Sequence, residues 1–286
     1  MKYIGIIGLG LIGGSMAKTI RTNTDYEIYG MDSNKSVIKL AIEQNIILRE
    51  LKYENAADCD MFIVALYPKD VVNVIREYAP YMKKGSLIVD CTGIKTSVCS
   101  VLSKEMKEMG LHFVGGHPMA GKEVAGYKNA DDMLYNNASM ILCRDEYTDE
   151  EAFIMAKDFF KEMGFPRIKE STAKEHDQVI AFTSQMAHVV SNAYVKSPTL
   201  QERYGFSAGS FKDLTRVAKL NEYMWADLFL ANKEALSEEL DIFMKNMEEY
   251  RRALNNEDKD ELVRLLAAGR KLKEEDEEKE INAKNS

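Results

Sequence analysis

Gly8, Gly10 and Gly13 form a G-x-G-x-x-G run between two apolar stretches, Tyr3 to Ile7 and Glu27 to Met31, and the second stretch ends on Asp32. Gly8 permits a tight turn, Gly10 lets backbone approach a pyrophosphate, and Gly13 lets a helix pack closely on a strand. Leu11 and Ile12 open that helix, whose N-terminus attracts phosphate charge. Asp32 lies about twenty residues past the glycines, where a carboxylate accepts hydrogen bonds from both ribose hydroxyls and repels a 2′-phosphate. The spacing therefore predicts dinucleotide binding with NAD preferred to NADP, a preference tempered by nearby Lys35. A second segment, Gly115-Gly116-His117-Pro118-Met119-Ala120-Gly121-Lys122-Glu123, follows a strand-like run and reads as a loop. His117 is of the type that takes a proton near neutral pH, although a histidine before proline serves equally well in capping a turn. A third, Asp90 to Thr96, presents Thr92 beside Gly93 just past a strand end, where a plain strand–turn–helix connection accounts for most of the residues. Ser184-Gln185-Met186-Ala187-His188 and Phe211-Lys212-Asp213-Leu214-Thr215-Arg216 carry the remaining polar candidates. By themselves these read as core and solvated helix residues, but an arginine facing a crevice grips a carboxylate with two parallel hydrogen bonds, which lysine cannot do.

Those groups need elements to hold them. Up to about Glu170, short β-rich runs alternate with helical stretches: 61–65, 86–90, 112–114, 139–143 and 166–168 read as buried strands. The alternation predicts an α/β, Rossmann-like, doubly wound and mostly parallel sheet, with ligands in the crevice beyond the strand ends. Leu66 and Thr92, just past Ala65 and Asp90, are cofactor-side candidates on that ground. From Ser171 the pattern becomes all-helical, with helices expected over 172–196, 210–219, 223–255 and from 258 onward. The long 223–255 helix suggests packing between subunits, with packing inside one chain the simpler alternative. The expected organisation is a nucleotide-binding domain over 1–170, a helical domain over 171–270, and a charged, frayed tail over 271–286.

The chain has 286 residues, 45% of them hydrophobic, enough for two cores. A net charge of −8 argues against nucleic acid or an anionic membrane as partner. Cys59, Cys91, Cys99 and Cys143 show no C-x-x-C pairing, so neither a disulfide frame nor a metal site is expected, and a reducing, cytoplasmic setting is. No leader is expected before the first strand, and no stretch approaches the roughly twenty apolar residues of a membrane helix.

Taken in order, GLGLIGGS, GGHPMAGKE, the run Glu175-His176-Asp177 leading to Ser184 and His188, and FKDLTRVAK followed by Met224-Trp225 and Leu230-Ala231-Asn232-Lys233 resemble the prephenate/arogenate dehydrogenase family. The similarity runs from Ile4 to about Gly269. It implies NAD-dependent oxidative decarboxylation: hydride leaves the ring carbon bearing the hydroxyl of prephenate, CO2 leaves the ring, and aromaticity drives the reaction. Arogenate, converted directly to tyrosine, is the alternative substrate. The resemblance implies that His117 accepts the hydroxyl proton, Arg216 grips a carboxylate, and His188 with Ser184 places the substrate. Lys212 and Asp213 shape the site or the subunit boundary, Trp225 lines it, Glu123 lies near its mouth, and His176 and Asp177 read as structural. A homodimer through the helical domain and a stand-alone dehydrogenase, without a mutase stretch before Met1 or a regulatory segment after Gly269, are further expectations. Any inhibition by tyrosine would then act at the active site.

Two positions depart from the family. Many members carry, at the place of Gly93, a serine that contacts the substrate hydroxyl and the histidine; adjacent Thr92 is the candidate substitute. Gln185 stands where some relatives have histidine, at the side-chain end of the substrate. Two rivals rank lower. A β-hydroxyacid dehydrogenase needs a lysine early in the helical domain, where this chain offers Ser184, His188 and Asn192. A non-catalytic NAD-binding sensor needs neither His117 nor Arg216.

Overall fold

The computed structural model describes residues 2–122 and 124–285. Its contacts divide the chain into two compact units, Met1–Lys233 and Glu234–Ser286. The first begins β1 (Tyr3–Ile7), α1 (Leu11–Asn23), β2 (Glu27–Met31), α2 (Lys35–Glu43), β3 (Arg49–Glu50), β4 (Met61–Val64), α3 (Pro68–Tyr78), β5 (Leu87–Asp90) and α4 (Thr96–Glu108). It continues β6 (His112–Pro118), β7 (Ser139–Cys143), α5 (Glu150–Glu162) and β8 (Arg167–Ser171). The eight strands form one sheet in the order β3-β2-β1-β4-β5-β6-β7-β8. Pairing is parallel except where β7 runs against β6. The order reverses between β1 and β4, which opens the ligand crevice at the carboxyl ends of those strands.

Strand residues point alternately to the two faces, so each strand feeds two cores. Ile4, Ile6, Ile63 and Val89 pack with Met16 and Ile20 of α1 and Phe159 and Phe160 of α5. Ile7, Phe62, Val64 and Ile88 pack with Val71 and Ile75 of α3 and Val98 and Leu102 of α4. All four cysteines are buried and free.

The segment read as a loop from Gly115 is instead strand as far as Pro118. Gly115, Gly116, His117 and Pro118 pair with Cys143, Leu142, Ile141 and Met140 of β7. The two glycines make this possible, since a Cβ at 115 would sit 2.6 Å from Cys99 Sγ and one at 116 would sit 2.6 Å from Asp90 O. His117 therefore rides on a paired strand, a stiffer mount than a loop.

The helical part of the first unit comprises α6 (Ala173–Ile180), α7 (Met186–Tyr194), α8 (Gly209–Thr215) and α9 (Glu222–Ala231). A π-helical turn, Ala181–Gln185, joins α6 to α7, and a 3₁₀ turn, Arg216–Ala218, follows α8. The single helix expected over 223–255 is broken at Asn232. The Asn232 amide donates to Asp177 O and Gln185 Oε1, both at 2.8 Å, and those tertiary bonds hold the residue out of helical geometry.

After the break comes α10 (Lys233–Asn255), and α11 (Lys259–Asn285) closes the second unit. Glu257 takes φ +53° at the turn between them. The tail expected to fray is helical, carrying Arg270–Glu274, Lys271–Glu275 and Lys273–Glu277 pairs one turn apart. Solvent screens such exposed pairs to a small effect, and Leu272 and Ile281 remain exposed. Among the described residues no helix is long and apolar enough to cross a membrane, and no cluster of His, Cys, Asp or Glu could hold a metal ion.

Candidate active site

The glycine run forms a cradle at the end of β1. Gly8 has φ +91°, and a Cβ there would lie 2.4 Å from Ala65 O and 2.9 Å from the Leu66 side chain. A Cβ on Gly13 would lie 1.8 Å from Gly8 O, whereas one on Gly10 meets nothing within 4 Å, leaving backbone open to a ligand. Leu11 and Ile12 form the first turn of α1, and Ile12 O accepts the Tyr135 hydroxyl at 2.8 Å. Asp32 is held at the rim: Leu9 N donates to Oδ2 at 2.9 Å and Asn34 N to Oδ1 at 2.8 Å. Each carboxylate oxygen keeps a further lone pair for a ribose hydroxyl. Lys35, the residue that tempered the NAD preference, is ion-paired with Glu50. These residues fit a dinucleotide.

β6 runs parallel to β1, β4 and β5, so its final turn of sequence delivers His117 to the same edge of the sheet. Its Nδ1 lies 2.8 Å from Nε2 of His176, and His176 Nδ1 lies 2.7 Å from Asp177 Oδ1. The Asp177 carboxylate also accepts Lys95 N at 2.8 Å and Thr96 N at 2.7 Å, tying α6 to the start of α4. The opposite edge of the His117 ring faces Gly93. A Cβ there would sit 3.9 Å from His117 Nε2 and Cε1 and 3.6 Å from the Leu228 side chain. Burial above all, with neighbouring Lys95 adding to it and Asp177 opposing, pushes the His117 pKa well below the usual imidazole value. The ring is thus neutral, and able to accept a proton, at neutral pH.

Thr92 does not take the place of the missing serine. It is 3% exposed, and its hydroxyl lies 2.6 Å from Asp90 Oδ2 and 2.8 Å from Ile94 O while accepting from Lys95 Nζ at 3.0 Å. Lys95 and Asp90 are both fully buried and ion-paired, and Lys95 Nζ also donates to Gly116 O at 2.6 Å. Thr92 belongs to this internal cluster, which engages its hydroxyl on every side shown. Because a Cβ at Gly93 fits at ordinary contact distances, Gly93→Ser should fold normally and raise kcat/KM about five- to tenfold, the value of one added hydrogen bond. Steady-state kinetics on the variant check this, and an unchanged kcat/KM would show that the histidine needs no hydroxyl partner there.

In the helical part, Ser184 sits half-buried on the π-helical turn, a feature that often marks functional sites. Gln185 is 1% exposed; its Nε2 donates to Leu228 O at 3.1 Å and its Oε1 accepts from Asn232. Both ends of the amide are engaged inside the protein, by Leu228 O and the Asn232 amide. His188 Nδ1 donates to Val217 O at 3.1 Å, and Trp225 lies over its ring with centroids 3.7 Å apart. Asn192 donates to Ala218 O at 3.3 Å, so the turn carrying Arg216 is held on α7. Arg216, Lys212 and Asp213 are exposed. Helix α9 links the two groups, with Trp225 on His188 and Leu228, three residues on, against Gly93. Glu123 lies outside the described residues.

Sequence reasoning under-read His176 and Asp177 and missed Lys95 and Asn232. The adjacency of His176 and Asp177 was visible, but nothing local ties them to a strand 59 residues earlier. Lys95, in a segment that reads as a turn, carried no signal of burial.

Residues 16–169 match the family described as prephenate dehydrogenase, nucleotide-binding domain, and 172–268 match prephenate dehydrogenase, dimerization domain. A cyclohexadienyl dehydrogenase of Zymomonas mobilis is 30% identical over 284 residues, covering 95% of each chain. A prephenate dehydrogenase of Lactococcus lactis is 29% identical over 96% of this chain and 77% of its own. The crystal structure of prephenate dehydrogenase from A. aeolicus with hydroxyphenyl propionate and NAD+ superposes with a TM-score of 0.84, at 26% identity over 96% of this chain and 98% of that one. With both matched segments in order along the chain, a cradle that fits a dinucleotide and a neutral histidine at the same sheet edge, this chain belongs to the prephenate dehydrogenase family.

Proposed function

We propose that the protein catalyses the NAD-dependent oxidative decarboxylation of prephenate to 4-hydroxyphenylpyruvate, CO2 and NADH. The carrying observation is His117: a neutral imidazole on a paired strand, its Nε2 edge facing Gly93, which has no side chain to cover it. Nε2 accepts the proton of the ring hydroxyl as the carbon beneath it is oxidised. Bound in the glycine cradle, NAD+ supplies the hydride acceptor. Arg216 pairs with a substrate carboxylate, and the Val217–His188–Trp225 stack gives that end of the site a fixed wall. Ser184 on the π-helical turn completes the substrate side, with Lys212 and Asp213 shaping its approach. Arogenate presents the same ring and hydroxyl, so the reaction chemistry serves both substrates and the choice falls to groups that meet the side chain.

We read the active species as a homodimer formed through the helical domain. Support comes from the apolar surface of α10, where Met244, Met247 and Leu254 are all more than half exposed. Four buried free thiols suit a cytoplasmic setting.

The test is NADH or NADPH formation with each pairing of NAD+ or NADP+ with prephenate or arogenate, on protein whose mass is measured by light scattering. The expected result is turnover with NAD+ and prephenate in a particle of twice 32.5 kDa. Binding of NAD+ without turnover of either substrate would return the sensor reading, and a preference for NADP+ would remove the role given to Asp32.

A further inference from the structure

His117, His176 and Asp177 form a linear chain of hydrogen bonds from β6 to α6, and its polarity can be worked out from one end. A carboxylate only accepts, so the 2.7 Å contact requires His176 to carry its proton on Nδ1. With the ring of His176 carrying that one proton, its Nε2 is bare, and the 2.8 Å contact from His117 then requires His117 to donate from its own Nδ1. What remains is a bare Nε2 on His117, the nitrogen that faces Gly93. The anchor is itself fixed, because the Asp177 carboxylate accepts two backbone N–H groups at the start of α4 and Asp177 O accepts the Asn232 amide. His176 is 2% exposed and cannot exchange these partners for water.

We propose that His176 and Asp177 are positioning residues that set the tautomer of His117, directing its lone pair at the substrate hydroxyl, and that share the charge formed when His117 is protonated. The second part follows from the same chain. As Nε2 of His117 takes the hydroxyl proton, the proton on Nδ1 can shift along the 2.8 Å bond to Nε2 of His176. No net proton is gained or lost by the pair beyond the one taken up. The imidazolium then rests on His176 against anionic Asp177, whose hydrogen bonds from His176, Thr96 and Lys95 hold its pKa below the ordinary value despite burial. Lys95, ion-paired with Asp90, also acts on His117, and Glu175 and Asp177 both act on the Cys143 thiol, which burial keeps protonated.

This inference rests on the proposed reaction only for its kinetic half. The protein has four histidines, so the ring-nitrogen spectrum of histidine-labelled full-length protein can be assigned by single substitutions. At neutral pH His117 and His176 should both show a protonated Nδ1 and a bare Nε2. In His176→Leu, which leaves every Asp177 backbone bond in place, His117 should lose its single tautomer. In that variant kcat should fall about a hundredfold while KM and NAD+ affinity stay within about twofold. In His176→Gln, whose amide oxygen can accept where Nε2 did, the Nδ1–H tautomer should return and kcat should recover to within about tenfold of the parent. Asp177→Asn, which removes the anion, should move the acid limb of the kcat profile to lower pH.

A parent spectrum with the His117 proton on Nε2 overturns the proposal, and so does a His176→Leu protein whose His117 tautomer or kcat is unchanged. Loss of kcat and melting temperature together, with the tautomer and acid limb unmoved, would mean that the pair only holds the fold. Tautomers that behave as described in a protein turning over neither substrate would leave the hydrogen-bond chain standing and reject the reaction.

Discussion

His117→Asn should lower kcat by about a thousandfold, within the range assigned to a positioned general base, while NAD+ binding stays unchanged. Asparagine can occupy the ring's place on β6, and its amide can still meet a hydroxyl, but it has no basic nitrogen to take the proton. The cradle of Gly8, Gly10 and Gly13 lies on a different strand and should be unaffected. Stopped-flow and steady-state measurement of NADH formation, with NAD+ titration by fluorescence, separates the two effects. A variant within tenfold of the parent would remove His117 from the role of base.

The pH dependence has a definite sign. Because burial above all, with Lys95 nearby, favours the neutral ring, protonation in the folded enzyme waits for a pH well below 6.5. Parent kcat should hold through 6.5 and fall only on the acid side, a limb absent in His117→Asn. The same depression links to stability: the unfolded chain takes up the proton near 6.5 and the folded chain only lower. This contribution is complete above 6.5 and shrinks as pH drops toward the folded value.

The second large effect is on folding. Lys95→Met should destabilise the protein by about 3–5 kcal/mol, because Asp90 is left as a fully buried carboxylate without its counter-charge. The Thr92 hydroxyl and backbone N–H, at 2.6 and 3.1 Å, and the longer Gly116 N–H contact cannot replace a full cation. The loss should read as a fall in melting temperature of about 10 °C in calorimetry. The double variant Asp90→Asn with Lys95→Met should recover most of it, since removing both charges leaves only neutral polar groups. A single variant as stable as the parent would show that the pair is no more than space-filling. The cluster also spans β5, α4 and, through Gly116, β6, so its loss should loosen the strand that carries His117.

What could be read in the chain without its structure was local. The turn at Gly8, the helix opening at Leu11 and the acid at Asp32 all lie within one βαβ unit, where each residue's own conformational and charge preferences decide the outcome. The alternation of strands and helices, and so the sheet, followed from periodicity for the same reason. His117 and Arg216 were visible as chemical types in recognisable surroundings.

The rest depended on partners far away in sequence. Gly115 to Pro118 became strand because β7 supplies a second edge and because glycine admits Cys99 and Asp90 to close approach. The helix expected to run through Asn232 broke because Asp177 O and Gln185 Oε1 both draw on that amide, and the same bond engages Gln185 inside the protein. Thr92 had the right chemistry but lost its hydroxyl to the Asp90–Lys95 pair. The direction of a hydrogen bond depends on what stands at its far end. Residues 117, 176 and 177 thus declared a histidine, a histidine and a carboxylate, but only the packing of α6 against β6 and α4 decided which nitrogen of His117 is bare.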